Sequence, residues 1–163
     1  MTSPRSAPLP ARSQEVARCL AEAGVPGQVR ELAESTRTAA EAAAALGCEI
    51  GAIANSLVFL SNAEPVLVLT SGRHKVDTAA LAARWGRGPL LRATADQVRE
   101  ATGQAIGGVA PVGHPRRLPT VVDEALTEYS EIWAAAGTPR TVFPTTAAEL
   151  LRLTDGTLLA VTS

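Results

Sequence analysis

Ile53-Ala54-Asn55-Ser56-Leu57-Val58-Phe59-Leu60, then Ser61-Asn62-Ala63-Glu64, then Pro65-Val66-Leu67-Val68-Leu69-Thr70: two apolar runs divided by a short polar stretch predict a β-hairpin. In the first run Ile53, Asn55, Leu57 and Phe59 share one face, and Ala54, Ser56, Val58 and Leu60 share the other. Both faces are largely apolar, so both must be covered. The pair is therefore expected at the centre of a sheet.

Helix signals surround the hairpin. Before it, Thr38-Ala39-Ala40-Glu41 has the form of a capping box, and the alanine-rich run it starts ends at Gly47. After it, Asp77 caps a helix through Trp85 that Gly86 ends. Thr94 with Gln97 caps another that stops near Gly103, and Thr146 with Glu149 caps a third before Asp155-Gly156. A first helix fits Ser13 to Ala23, closed by the breaker Gly24-Val25-Pro26-Gly27. Residues 28–37 read equally as strand or turn. Short strands are expected at Pro89 to Arg92, Gln104 to Val109, Pro119 to Asp123, Glu131 to Ala135, Arg140 to Phe143 and Leu158 to Val161. The sum is a mixed α/β domain: a curved, barrel-like mixed β-sheet surrounded by short helices.

The chain has 163 residues, room for one hydrophobic core and not for two independent domains. Residues 1–12, rich in Pro and Ser, read as a tail, and 13–163 as the single domain. Only five residues are aromatic, so the core must be built from Ala, Val and Leu. The net charge of −1 gives no general attraction to polyanions, but the charges are uneven. Between Ser71 and Arg99, five arginines and Lys75 stand against Asp77 and Asp96, while Asp123, Glu124, Glu128 and Glu131 form an acidic stretch. Either these are ordinary solvated faces or one face steers a polyanion. Cys19 and Cys48 form no staple pattern and are expected reduced. No apolar run resembles a signal peptide or a membrane span, so the expected compartment is the cytoplasm and no membrane partner is expected.

Several chemistries have no motif here. His74 and His114 are the two histidines, and neither stands in a metal-ligand spacing with cysteine or acidic residues. There is no phosphate-loop, dinucleotide-binding or nucleophile-elbow motif. No cofactor and no metal are expected. His114 is a general-base candidate without an obvious nucleophile.

What remains is Thr102-Gly103-Gln104-Ala105-Ile106-Gly107-Gly108-Val109-Ala110-Pro111-Val112-Gly113-His114-Pro115. Four glycines and two prolines among short apolar side chains suit a strand ending in a constrained turn. Gly107 and Gly108 let a ligand approach the backbone, where free amides can hold a carbonyl, carboxylate or phosphate oxygen. The alternative is a turn needed only for folding. Asn55 is the second candidate: its amide either serves a pocket or bonds nearby backbone. Lys75, the single lysine, is a third, as a cationic rim.

Ile53 to Phe59, Pro65 to Thr70, Gly72-Arg73-His74-Lys75-Val76-Asp77, Thr102 to Gly113, and Val121-Val122-Asp123 followed by Ile132 to Gly137 together resemble the YbaK/prolyl-tRNA synthetase-associated domain family. The likeness runs from about Thr38 to Asp155. It implies a free-standing relative of the editing domain of bacterial prolyl-tRNA synthetases, which hydrolyses in trans the ester of mischarged aminoacyl-tRNA. The implied partners are mischarged tRNA, with tRNA(Pro) a candidate, and an aminoacyl-tRNA synthetase. The family's Gly-x-x-x-Pro motif falls on Gly107 and Pro111. The resemblance implies attack by a water positioned by backbone groups and the substrate's own terminal ribose. It makes Asn55, Gly107 and Gly108 the catalytic group, with Ile53, Leu57, Lys75, Thr102, Val109, Pro111, Gly113, His114 and Asp123 around the substrate. Asn55 stands where well-known deacylases of the family carry lysine; it can donate a hydrogen bond but supplies no charge. A non-catalytic aminoacyl-tRNA or small-ligand binding module of the same fold is the alternative.

Overall fold

The computed structural model describes residues 8–36 and 38–163. Most of the expected tail, residues 1–7, lies outside the described residues, as does Arg37 of the ambiguous stretch. Helix α1 (Ala11–Glu22) starts two residues earlier than expected. In chain order there follow β1 (Arg30–Glu31), α2 (Ala39–Leu46), β2 (Ile53–Ser61), β3 (Glu64–Ser71), α3 (Thr78–Trp85), β4 (Leu90–Arg92), α4 (Ala95–Thr102), β5 (Thr120–Asp123), β6 (Ile132–Ala135), β7 (Thr141–Thr145), α5 (Ala147–Thr154) and β8 (Thr157–Leu159).

The caps read from the sequence are formed. The Thr38 side chain accepts from the Glu41 N–H at 3.1 Å while the Thr38 N–H donates to Glu41 Oε1 at 3.1 Å. Thr94 and Gln97 make the same reciprocal pair. Asp77 and Thr146 cap α3 and α5. Helices α2 to α5 end on left-handed residues, Gly47, Gly86, Gly103 and Asp155, whose N–H groups donate to carbonyls of the last turn. Within residues 28–36 the chain forms the short β1 (Arg30–Glu31), which pairs with β7.

One mixed sheet collects the eight described strands in the order β1-β7-β6-β2-β3-β5-β8, with β4 added to β2. The hairpin β2–β3 is at its centre, in register from Ala54 opposite Ser71 to Ser61 opposite Glu64. Its two faces feed two cores. Ala54, Val58, Leu67 and Leu69 join a large cluster with Val16 and Leu20 of α1, Val98 of α4, Phe143 of β7 and Leu150 of α5. Phe59, Val66 and Val68 face Leu81 of α3, Leu90, Val121 and Val161. A third, smaller cluster holds α2 against Ile53 and Trp133.

The expected strand at Gln104 to Val109 is not formed; this segment is a turn and loop. Its short apolar side chains suit a strand, but its polar groups are satisfied locally. Gln104 Oε1 accepts from the Ala110 N–H at 2.7 Å, Gln104 Nε2 donates to the Val112 carbonyl at 3.3 Å, and the Gly108 N–H donates to the Ala105 carbonyl at 3.0 Å. A side chain that bonds the main chain across six residues replaces a ladder partner.

Asp123, at the end of β5, joins several elements. Its buried carboxylate accepts from the Ser71 N–H and the Ala125 N–H, each at 2.9 Å, and from Thr70 Oγ1 at 3.3 Å, and it lies 2.9 Å from His74 Nδ1. Removing it would leave buried donors unpaired. Asp123→Ala is expected to lower stability by about 3 kcal/mol; thermal unfolding checks this, and an unchanged midpoint would contradict it.

Candidate functional site

Strand β2 pairs with β3 along nearly its whole length on one edge, but its other edge is shared and incomplete. The parallel partner β6 covers only Ile53 and Ala54, and the antiparallel partner β4 covers only Phe59 to Ser61. Asn55, Ser56 and Leu57 lie between, with no strand beside them. The glycine-bearing loop Ile106 to Val109 fills part of that gap, and a cavity of about 40 Å³ remains. A single water needs roughly 10–15 Å³ on the same scale, so the space suits a small group.

Asn55 and Ser56 of β2, Gly107 and Val109 of the loop, Trp133 of β6, and Thr138 are among its walls. Thr36, Thr38 and Thr141 also line it, their hydroxyls bonded to the Pro139 carbonyl, to Glu41 and to Ser13, and Ala39 and Ala42 of α2 add an apolar side. No described residue lining it is ionisable. Such a cavity can bind and polarise a neutral, oxygen-bearing group but offers no side-chain acid or base. Ser56 Oγ is shielded from solvent and has no hydrogen-bond partner.

The loop is fixed by its two glycines in different ways. Gly107 has a φ of 92°, a left-handed conformation that favours glycine. Gly108 has no room for a side chain: an added Cβ would lie 2.4 Å from the Thr138 carbonyl carbon and 2.7 Å from the Pro139 nitrogen. Its carbonyl also accepts from the Gly137 N–H at 2.9 Å. The two glycine amides were expected to be free. That of Gly108 is not, because it closes the turn onto Ala105.

The structure brings some predicted site residues together and separates others. Ile53, Asn55, Gly107 and Val109 line the cavity, and Leu57 lines a second one of about 40 Å³ that continues along β2 with Arg92, Ala93 and Ile106. Pro111, Gly113 and His114 instead line a groove of about 370 Å³ with Cys19 and Glu22 of α1 and Arg117. His114 Nε2 lies 2.7 Å from the Ala110 carbonyl, and burial pushes the imidazole pKa below its ordinary value. Thr102 is buried and donates to the Val98 carbonyl at 2.7 Å. Asp123 is occupied by the bonds described above, and Lys75 lines none of these three spaces. The cavity residues that sequence reading missed are Ser56, Trp133 and the four threonines, which come from segments far apart in the chain.

The charged stretches are partly neutralised by each other. Arg73 pairs with Glu128 at 2.7 Å, joining the basic region to the acidic one, and Arg87 pairs with Glu64 at 2.8 Å. Arg84 is bonded to the carbonyls of Ala160 and Thr162. Cys19 and Cys48 are free thiols, and burial raises the pKa of both. Among the described residues no group of three or more His, Cys, Asp or Glu is placed to hold a metal ion, and no helix is long and apolar enough to cross a membrane.

Residues 33–153 match the family described as the aminoacyl-tRNA editing domain. A protein of Enterococcus faecalis named "Putative Cys-tRNA(Pro)/Cys-tRNA(Cys) deacylase EbsC" is 28% identical over 131 residues, 80% of each chain. The proline–tRNA ligase of Bacillus licheniformis is 32% identical over 124 residues, which are 74% of this chain but 21% of the ligase. A crystal structure described as that of "a putative trans-editing enzyme for prolyl tRNA synthetase" superposes with a TM-score of 0.89 at 44% identity, covering 96% of this chain and 99% of the other.

Because Gly108 is enclosed by backbone, Gly108→Ala must move either the loop or the Thr138 segment. It is expected to lower stability by about 2 kcal/mol, measured by thermal unfolding. An unchanged midpoint would show that the loop is not held as described.

Proposed function

The chain belongs to the aminoacyl-tRNA editing domain family, and from that membership we propose that it is a trans-acting deacylase, hydrolysing the ester of mischarged aminoacyl-tRNA and releasing the amino acid. The observation that carries the reading is the small cavity on the incomplete edge of β2, lined by both Asn55 and Gly107.

The lining decides what kind of catalysis is available. With no described ionisable group in the cavity, rate enhancement comes from positioning and from hydrogen bonds to the ester oxygens. The Asn55 amide donates to the aminoacyl carbonyl, and the Gly107 backbone lets that carbonyl approach closely. Water is the nucleophile, assisted by the substrate's own terminal ribose hydroxyl, and the reading asks for no metal. The cavity volume selects small aminoacyl side chains, and the threonine hydroxyls allow one that is polar. The names of two relatives and of one solved structure make tRNA(Pro) the first tRNA to test, with a prolyl-tRNA synthetase as the enzyme whose errors are corrected. Such a substrate places the work in the cytoplasm.

The second reading, binding without turnover, is favoured by one feature. Asn55 brings no positive charge to the carbonyl, so stabilisation of a developing oxyanion rests on neutral donors.

Incubating the pure protein with tRNA(Pro) charged with alanine, serine, cysteine or phenylalanine separates the two. Release of a small amino acid with phenylalanine retained is the expected result, and Asn55→Ala is expected to slow release about 100-fold. Retention of every amino acid by a protein that still binds the charged tRNA would favour the binding module.

A further inference from the structure

Ser56 was not among the residues picked from the sequence, yet it offers three hydrogen-bonding groups at one point. Its Oγ is buried without a partner, which costs about 1–3 kcal/mol and calls for an explanation. Its main-chain groups are also unmatched on the incomplete edge of β2. The Val58 carbonyl accepts from the Ala93 N–H at 3.3 Å on the β4 side, and the Ile53 carbonyl accepts from the Gly72 N–H on the β3 side. Residues two apart along a strand direct their main-chain groups to the same edge. The N–H and carbonyl of Ser56 therefore face the side where β6 ends at Ala54 and β4 starts only opposite Phe59.

The position along the strand matters as much. The cavity bearing Asn55 and the second cavity bearing Leu57, Arg92 and Ile106 meet at Ser56, Gly107 and Val109, the three residues that line both. A ligand spanning the two spaces must cross at Ser56. The first space takes a small uncharged group between threonines and alanines. The second has mostly apolar walls, and among its lining residues the exposed Arg92 offers a cation to a phosphate.

We infer that Ser56 is a substrate-binding residue at the crossing point, its hydroxyl and main-chain N–H donating to the oxygens of the ester that joins the aminoacyl group to the terminal ribose. This rests on the reading of the cavity as an aminoacyl-ester site. It also explains the orphaned hydroxyl: the group is kept free in the empty protein because its partner is the ligand.

The test uses Ser56→Ala and Ser56→Thr with the alanyl, seryl and cysteinyl amides of 3′-amino-3′-deoxyadenosine, which keep the junction but resist hydrolysis. Thermal unfolding and calorimetric binding are read on the same preparations. Ser56→Ala loses no bond in the empty protein, so its unfolding midpoint should equal or exceed that of the wild type. Its affinity for the amide bound best by the wild type should fall about tenfold, and Ser56→Thr should restore most of it. Unchanged affinity in Ser56→Ala would overturn the inference while leaving the aminoacyl-ester reading intact. If the wild type binds none of the amides and deacylates none of the charged tRNAs, that reading fails and the inference falls with it. A lower midpoint in Ser56→Ala would show a structural hydroxyl and also count against it.

Discussion

The structure depends on β2 having one complete edge and one broken one. On the β3 side the ladder runs from Ala54 to Ser61. On the other side β6 leaves after Ala54 and β4 arrives at Phe59. Of the three residues at the break only Ser56 directs its main-chain N–H and carbonyl into it, since Asn55 and Leu57 turn theirs to β3, and main-chain polar groups away from water need partners. Here the break is flanked by two cores, so it is held open by packing on both faces of the sheet.

The loop opposite the break is rigid for a reason that its composition hides. Four glycines look like flexibility, but Gln104 bonds the main chain at Ala110 and Val112, the Gly108 turn closes on Ala105, and the Gly108 carbonyl is tied to Gly137. Gly108 sits against the Thr138 backbone with no space for a Cβ. Glycine thus serves close packing at Gly108 and a left-handed φ at Gly107. On the proposed reading, such a site holds a neutral ester between backbone walls.

Local features were legible in the sequence because their causes are local. Thr38 with Glu41, Thr94 with Gln97, and the left-handed glycines that end α2, α3 and α4 need only a few residues to act. The hairpin was legible because both faces of each strand are apolar, and the observed register puts Val66 and Val68 in one core and Leu67 and Leu69 in the other. Gln104 to Val109 differs from the expected strand because composition does not reveal that Gln104 will bond Ala110. Asn55 and Gly107 were legible as odd residues in apolar surroundings. Ser56 was not, since a small polar residue in a strand is ordinary until the absence of a partner is seen. Trp133, Thr138 and Thr36 join the cavity only through strand order, which a sequence does not state.

The central claim is that a ligand enters at the break in β2. Backbone amide chemical-shift mapping by NMR, with the alanyl amide of 3′-amino-3′-deoxyadenosine titrated into the protein, tests it directly. The account predicts the largest shifts at Asn55, Ser56, Leu57 and Gly107, with little change at Cys19, Gly113 and His114 in the separate groove. Shifts concentrated around that groove, with the amides of Asn55 to Leu57 unmoved, would contradict it.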